Sequence, residues 1–286
     1  MPSNIIELAG HSGFEVILYE RKKNFYVVRK KAKSIEQNAR LKRQYQKHKF
    51  FKSLKQDKFF VPEILDAGFK AKLFYYEYKY VEGVTLIHFI EHHPINKILV
   101  VLKKIAAIVK SFQSEKKAFE AIGPGQTLVS ALKKKIGSIL SFHPNSQKIA
   151  KLLLKKLKTL EDFKDSTICH GDLTFDNIIV DSNLNVWLID FLDSFYPHYW
   201  FDITRLFGDI DGRWHEIKYG IRLPQNKLIY LRELFLNSVR AFDSRYESYN
   251  NFLLAVSFLR TLPYAKTEEE RRLIISKIDY FLSIKD

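Results

Sequence analysis

The sequence predicts an α+β protein with a small antiparallel sheet in its first third and a larger, mainly helical part after it. Short apolar runs separated by turns between residues 14 and 81 are typical of strands. From residue 86 onward, apolar residues recur at helical spacing. One hairpin-like segment, residues 178–191, interrupts these helices. A chain of 286 residues is long enough to bury one large core or two lobes.

The composition narrows the class of protein. Hydrophobic residues make up 46% of the chain, and the single cysteine excludes a disulfide framework and fits a reducing compartment. Residues 1–6 have neither the basic start nor the apolar run of a signal peptide. The longest aliphatic run, residues 98–102, is far shorter than the roughly 20 residues that span a bilayer. We therefore expect a soluble, cytoplasmic protein.

Positive charge is concentrated in residues 21–58. This segment holds 15 lysines and arginines against two acids, so it carries +13 of the chain's net +15. Such a block usually forms a solvated surface, and the sharper alternative is docking to a polyanion or an anionic membrane surface. No recognition motif for nucleic acid accompanies the charge, so nucleic acid is not favoured as a partner. Nothing in the pattern indicates an oligomeric state.

The first two predicted strands, residues 14–19 and 24–29, flank a basic turn at residues 21–23. Just before them, the segment Gly10-His11-Ser12-Gly13 offers two permissive glycines where a strand pair could close over phosphates. The second strand ends in Arg29 and Lys30, whose side chains point to opposite faces because strand residues alternate.

A helix is predicted from residue 34 to about residue 54, with an apolar stripe of Leu41, Tyr45, Phe51 and Leu54. Residues 61–65 and 73–81 then predict two more strands. A glycine turn follows at Gly83.

Most of the remaining chain predicts helices. Their apolar stripes include residues 98–112 and the four-residue repeat of Leu128, Leu132, Ile136 and Leu140. The last three helices are predicted at residues 225–242, 249–262 and 267–284. Thr267 followed by Glu270 is a capping-box pattern for the last of them.

The segment 168–191 contains the residues that indicate chemistry. A polar insert, residues 181–185, lies between two short apolar runs and predicts a hairpin. If Val180 pairs near Trp187, Asn177 lies opposite Asp190, with their Cβ atoms about 5 Å apart. An amide and a carboxylate at that distance suit one Mg²⁺ ion. Phosphate oxygens and water then complete the coordination of the ion.

Asp172 lies five residues before Asn177, on the loop that enters this hairpin. A carboxylate there could accept a hydroxyl proton beside a metal-bound phosphate. The pattern His170-Gly171-Asp172, four residues, Asn177, followed by Ile189-Asp190-Phe191, resembles the aminoglycoside phosphotransferase and choline kinase family. The loop lacks the arginine of the protein-kinase H-R-D motif, and Asp190-Phe191-Leu192 replaces D-F-G.

The resemblance implies a protein-kinase-like two-lobe fold. A nucleotide-binding N-lobe is expected at residues 1–82, and a C-lobe with the catalytic loop, metal hairpin and acceptor pocket at residues 83–286. It also implies ATP and Mg²⁺ as cofactors, with GTP as an open alternative to ATP.

The same resemblance implies a role for individual residues. Asp172 is the catalytic base, Asn177 and Asp190 hold Mg²⁺, and His170 and Asp202 support the catalytic loop. Arg29 is narrowly preferred to Lys30 as the cation that holds the ATP phosphates. Nucleotide contacts are also expected from Gly10, Ser12, Gly13, Gln44, Tyr80 and Val81. Gln44 stands where the family has a carboxylate.

The implied function is transfer of the γ-phosphoryl group of ATP to a hydroxyl of a small molecule. The run from Phe191 to Trp214 resembles kinases associated with bacterial surface-polysaccharide genes, which favours a sugar or polysaccharide precursor as acceptor. Choline, ethanolamine or an aminoglycoside are alternative acceptors. An inactive nucleotide-binding module with a basic face is the alternative from another class. The predicted acceptor pocket comprises Phe195, Tyr199, Arg205, Asp209, Asp211, Arg213 and Trp214.

Overall fold

The computed structural model describes residues 5–8, 13–54, 57–115, 126–140 and 147–284. Two predicted phosphate-contacting residues, Gly10 and Ser12, lie outside these ranges. The chain divides into two compact units: residues up to Thr85 with Asn177–Asp193, and Leu86–Asp176 with the residues from Ser194 onward. In this division the hairpin groups with the N-terminal sheet. The predicted domains at residues 1–82 and 83–286 remain a prediction.

The first unit contains a five-stranded antiparallel sheet. In spatial order its strands are β1 (Ile5–Glu7), β2 (Glu15–Lys22), β3 (Phe25–Lys31), β5 (Leu73–Lys79) and β4 (Ile64–Lys70). Aromatic and β-branched residues fill one face, as expected for a half-buried sheet. The buried cluster consists of Phe14, Val16, Val28, Ala32, Leu41, Phe74, Tyr76 and Tyr78.

One helix, α1 (Gln37–Ser53), follows this sheet's third strand. Its buried face consists of Leu41, Gln44, Lys47, His48 and Phe51. The predicted apolar stripe is wrong in part, because Tyr45 and Leu54 are only partly buried. Polar side chains take their place by bonding to carbonyls: Lys47 Nζ donates to Leu192 O at 2.6 Å, and His48 Nε2 to Pro62 O at 2.8 Å.

A small second sheet carries the predicted hairpin. It comprises β6 (Val84–Thr85), β7 (Ile178–Val180) and β8 (Val186–Leu188). Gly83 precedes β6 at a point where a Cβ atom would lie 2.6 Å from the Val180 carbonyl oxygen. The position therefore excludes any side chain.

The hairpin register differs from the predicted one by one residue. Val180 pairs with Val186, and Trp187 pairs with Ile179. The cause is the turn, where the Asp181 carboxylate accepts hydrogen bonds from Asn185 N at 2.9 Å and Trp187 Nε1 at 3.0 Å. The predicted pairing of Asn177 opposite Asp190 is therefore wrong.

The second unit is mainly helical, as predicted. Its helices are α2 (Leu86–His92), α3 (Ile95–Ser114), α4 (Leu128–Leu140), α5 (Gln147–Leu157), α6 (Trp200–Ile210), α7 (Trp214–Tyr219), α8 (Gln225–Phe242), α9 (Tyr246–Thr261) and α10 (Glu268–Ser283). Thr267 Oγ1 accepts from Glu270 N at 3.0 Å, which confirms the predicted capping interaction. In the part of the chain that the structure describes, no helix has both the length and the apolar character needed to cross a bilayer.

Helix α6 lies at the centre of this unit, and every one of its residues except Arg205 is buried. It packs against α9, α8 and α7. Such a helix is expected to be apolar all round. The charged residues that it nevertheless carries contact the loop at residues 170–175.

The buried imidazole of His48 predicts a pH-dependent stability. Burial, together with the nearby Lys30 and Lys52 charges, lowers its pKa to about 4. The unfolded chain binds this proton near the ordinary pKa of about 6.5, so the unfolded state gains protons first as the pH falls. Between about pH 7 and about pH 5.5, His48 alone should reduce the free energy of unfolding by about 1 kcal/mol.

Urea denaturation at both pH values checks this. His48→Gln should lose about 1 kcal/mol less than the wild type on acidification. A change at the exposed His92 should leave the wild-type pH dependence in place. Identical pH dependence in the wild type and His48→Gln would contradict the account.

Candidate active site

A tight turn presents the Asp172 carboxylate. His170 is fully buried, and Gly171 has a φ of 89°, a left-handed conformation that strains any residue with a side chain. The chain then folds back, so that Asp172 N donates to His170 Nδ1 at 3.3 Å and Thr174 N donates to Asp172 O at 2.8 Å. The Asp172 side chain stays partly exposed at 26%.

Two buried carboxylates of α6 hold this loop at its two ends. Asp202 accepts from His170 N at 2.6 Å and from Gly171 N at 2.9 Å. Asp209 accepts from Phe175 N at 2.8 Å. Each of these bonds pairs a buried backbone N–H with a charged acceptor, which is stronger than a neutral hydrogen bond.

Arg205 contacts the candidate catalytic carboxylate itself. Its Nε atom lies 3.2 Å from Asp172 Oδ1, and its Nη1 donates to Ser257 Oγ at 3.2 Å. Asp202, Arg205 and Asp209 follow at i, i+3 and i+7, so they share one face of α6. The sequence places Arg205 and Asp209 in the predicted acceptor pocket and does not predict their contacts with the H-G-D loop. The signal was present as three charges at helical spacing in an otherwise apolar helix.

The candidate metal ligands lie at one end of the β7–β8 hairpin. Asn177 directly precedes β7 and Asp190 follows β8 by two residues, while Asn177 O accepts from Ile189 N at 3.1 Å. Asp190 has a φ of 64°, which aspartate tolerates better than most residues. Both side chains are partly exposed. An amide oxygen and a carboxylate in such a setting fit Mg²⁺, which keeps some of its water.

Lys30 and Arg29 lie on opposite faces of β3, as strand alternation predicts. Lys30 is buried and forms an ion pair with Asp190. Arg29 instead donates to Glu77 on the neighbouring strand at 2.6 Å, and its guanidinium lies over the Tyr19 ring. Glu77 could not be predicted as the partner of Arg29, because cross-strand partners depend on the register.

The other predicted nucleotide contacts have different surroundings. Gln44 is buried on α1, and in the described part of the chain its side-chain amide has no hydrogen-bond partner. Gly13 has a φ of 78° and its carbonyl accepts from Gln37 Nε2 at 3.4 Å. Tyr80 N donates to Tyr26 O at 3.0 Å. Tyr80 and Val81 line a groove of about 460 Å³ together with Trp187.

Several residues expected in the acceptor pocket have structural partners instead. Tyr199 donates to Asp243, and Arg232 pairs with Asp211 at 3.1 Å. A small cavity does lie beside Arg205. It is lined by Thr174, Arg205, Gly208, Trp214, Ser257, Phe258 and Thr261. Of the predicted acceptor residues, it therefore contains Arg205 and Trp214.

Residues 5–225 match the phosphotransferase enzyme family. The chain belongs to this family. The match includes the H-G-D loop, the hairpin and α6, whereas α9 with Ser257 lies beyond it. Over a 42-residue stretch, the chain is 50% identical to serine/threonine-protein kinase ppk8 of Schizosaccharomyces pombe. This stretch is 15% of this chain and 8% of that kinase.

Solved structures of this family's kinases resemble the whole chain. An amicoumacin kinase in complex with AMP-PNP, Ca²⁺ and Ami has a TM-score of 0.69 and 15% identity, covering 99% of this chain and 89% of its own. Aminoglycoside phosphotransferase APH(4)-Ia with AMP-PNP and hygromycin B has a TM-score of 0.67 and 12% identity, covering 98% and 93%. These likenesses confirm the predicted α+β, protein-kinase-like fold.

Removal of the Asp202 carboxylate should destabilise the protein. In Asp202→Ala, two buried N–H groups lose their acceptor, which should lower the free energy of unfolding by about 3 kcal/mol. Asp202→Asn keeps one acceptor oxygen and should lose less. Urea denaturation followed by circular dichroism measures both changes. The exposed Asp279 on α10, changed to alanine, is the control, and an equal loss in Asp279→Ala and Asp202→Ala would count against the bracing role.

Proposed function

We propose that this protein transfers the γ-phosphoryl group of ATP to a hydroxyl group of a small molecule. The observation that carries the proposal is the Asp172 carboxylate. It is partly exposed, its loop is held by Asp202 and Asp209, and Arg205 orients its oxygen. Such rigid presentation is what a proton acceptor needs, because a displaced base loses much of its effect.

The reaction is proposed to use Mg²⁺ held by Asn177 and Asp190. When bound, the ion neutralises negative charge on the transferring phosphoryl group. Asp172, five residues before Asn177 in the chain, orients the acceptor hydroxyl and takes its proton. The calcium ion named with the amicoumacin kinase belongs to that structure.

Lys30, rather than Arg29, is the cation that we propose for the ATP phosphates. Lys30 is buried on β3 and forms an ion pair with the Asp190 carboxylate, whereas Arg29 forms an ion pair with Glu77. This reverses the narrow preference drawn from the sequence. The unpartnered buried amide of Gln44 is a further candidate for a polar contact with the nucleotide.

Adenine recognition is proposed for the backbone of Val81. The N–H of Tyr80 is already donated to Tyr26 O, so Tyr80 can offer adenine only its carbonyl group. ATP is the proposed donor, although one similar structure, of APH(2")-IIIa, contains GDP and kanamycin. Direct comparison of ATP and GTP as donors distinguishes the two.

A sugar or surface-polysaccharide precursor is the proposed acceptor, on the resemblance of residues 191–214. Choline-type and aminoglycoside acceptors are tested in the same assay. Membrane docking by residues 21–58 is the weaker proposal, because Lys30 and Lys47 are buried and Arg29 and Arg43 form ion pairs. We also propose that the protein is located in the cytoplasm.

Loss of either key carboxylate should abolish transfer while the fold stays intact. Asp172→Ala removes the proton acceptor and should lower kcat by about 10²–10⁴-fold. Asp190→Ala removes a metal ligand and should lower activity at least as far. Mg²⁺-dependent ADP release in the presence of a panel of sugars, amino alcohols and aminoglycosides measures the effect, with circular dichroism as the check on folding.

The matched control is Asp66→Asn, which alters an exposed carboxylate bonded to the Tyr75 hydroxyl. It should keep full activity. Wild-type turnover in either Asp172→Ala or Asp190→Ala would refute the mechanism.

A second pair of variants separates the two cations of β3. Lys30→Met should raise KM for MgATP by about 10-fold or more, since a phosphate contact of about 1.4 kcal/mol or more is lost. Arg29→Met should leave that KM near the wild-type value. It should instead lower the free energy of unfolding by about 2 kcal/mol, because the buried Glu77 carboxylate then keeps only the more distant Arg21 guanidinium as an ion-pair partner. A raised KM for MgATP in Arg29→Met, with an unchanged KM in Lys30→Met, would identify Arg29 as the cation that binds the phosphates.

A further inference from the structure

The candidate base lies among more positive than negative charge. Arg205 contacts Asp172 directly at 3.2 Å and also donates to Ser257 Oγ on α9. Arg260 lies one helical turn beyond Ser257 on the same helix, so its guanidinium belongs to the same side of α9. Lys135 lies on α4, which packs against α9. The charges of Arg205 and Arg260 therefore act on Asp172, and the charge of Lys135 acts on Arg260.

Two of these cations have no acidic partner of their own. Among the described residues, no carboxylate forms an ion pair with Arg260 or Lys135. The Arg260 guanidinium instead lies over the Phe195 ring, 4.9 Å from its centroid. Both side chains are half-buried. Burial, and then the charge of Arg205, lowers the pKa of Arg260, while burial and the charge of Arg260 lower the pKa of Lys135. The three positive charges thus repel one another in a poorly solvated place.

The neighbouring acids do not relieve this repulsion. Asp176 is bound by Lys218 at 3.3 Å and by the Tyr219 hydroxyl. Asp209 accepts the Phe175 N–H. In the described part of the chain, Asp172 is the only carboxylate whose charge acts on Arg260, and none acts on Lys135. Against Arg205, Arg260 and Lys135 this leaves an excess of about two positive charges. An anion bound there would remove the repulsion and gain charge-assisted hydrogen bonds.

We propose that the acceptor itself carries an acidic group, a carboxylate or a phosphate, which Arg205, Arg260 and Lys135 bind while its hydroxyl meets Asp172. This inference rests on the proposed phosphotransfer. The hydroxyl groups of Ser257 and Thr174, which line the cavity beside Arg205, are further donors for the same group. The substrate class is then a sugar acid or a phosphorylated sugar. A polycation such as an aminoglycoside would meet like charge and be rejected.

Matched sugars test the charge of the acceptor. Glucose, galactose and mannose are each compared with their 6-carboxylate, their 6-phosphate and their 2-amino derivative in the Mg²⁺-dependent ADP-release assay. An acid-bearing sugar should have a kcat/KM at least about 10-fold above its neutral partner, equivalent to about 1.4 kcal/mol. The carboxylate and phosphate arms show which anion is preferred. Better turnover of neutral or amino sugars, with full dependence on Asp172, would overturn this inference and leave the proposed function standing.

Variants of the unpartnered cations test the binding site. Arg260→Gln and Lys135→Gln should each lower kcat/KM for the acidic acceptor about 10-fold more than for its neutral partner. Arg260→Lys should recover part of the loss. Arg222→Gln removes an exposed charge from the same unit and should change neither value. Melting temperatures establish that each variant is folded, and equal losses for acidic and neutral acceptors would overturn the assignment.

If none of these sugars is phosphorylated, a binding measurement tests whether the site binds an anionic sugar. Glucuronate and glucose 6-phosphate are titrated by calorimetry into the protein with ADP and Mg²⁺. Binding that is lost in Arg260→Gln but kept in Arg222→Gln supports the anionic pocket, and equal binding by all variants, or none, overturns it. Failure of phosphotransfer itself would appear separately, as ADP release that is the same in the wild type and Asp172→Ala.

Discussion

The arrangement on which the rest of this structure depends is the attachment of the H-G-D loop to α6. Asp202 holds the loop where it begins, Asp209 holds it where it ends, and Arg205 contacts the carboxylate between them. Because these three residues lie on one face of one buried helix, their spacing is set by helix geometry rather than by flexible loops. The position of Asp172 is thus set by a helix in which every residue except Arg205 is buried.

The first unit shows the same use of buried polar groups. On α1, Gln44, Lys47 and His48 occupy positions that packing alone would give to leucine or phenylalanine. Lys47 and His48 bond to backbone carbonyls, and Lys30 pairs with Asp190. Buried polar groups cost stability unless they are satisfied, so several of them on one helix and one strand are typical of a functional site rather than of a packing core.

The sequence predicted the class of fold and the main helices, because these follow from local periodicity. The roles of Asp172, Asn177 and Asp190, which follow from motif spacing, stay predictions. Prediction from the sequence failed where the answer depends on tertiary contacts. The hairpin register shifted by one residue because Asp181 ties the turn to Asn185 and Trp187. The position of Glu77 opposite Arg29 on β5, which bears on the choice between Arg29 and Lys30, also depends on strand register. The loop contacts of Asp209 and Arg205 were hidden because spacing on a helix shows a shared face but not what that face meets.

The pairing of β6 with β7 has a consequence for how the chain folds during its synthesis. Val84 and Thr85 find their partners in Ile179 and Val180, nearly a hundred residues later, and Gly83 lies against the Val180 carbonyl. The ribosome must therefore release β8 before the first unit can be complete. Until then β6 lacks a neighbour, and a strand without one is open to pairing with other nascent chains. The time needed to translate the intervening helices is thus a minimum delay before the first unit can finish folding. During this delay the nascent chain is most exposed to aggregation and most in need of chaperone binding.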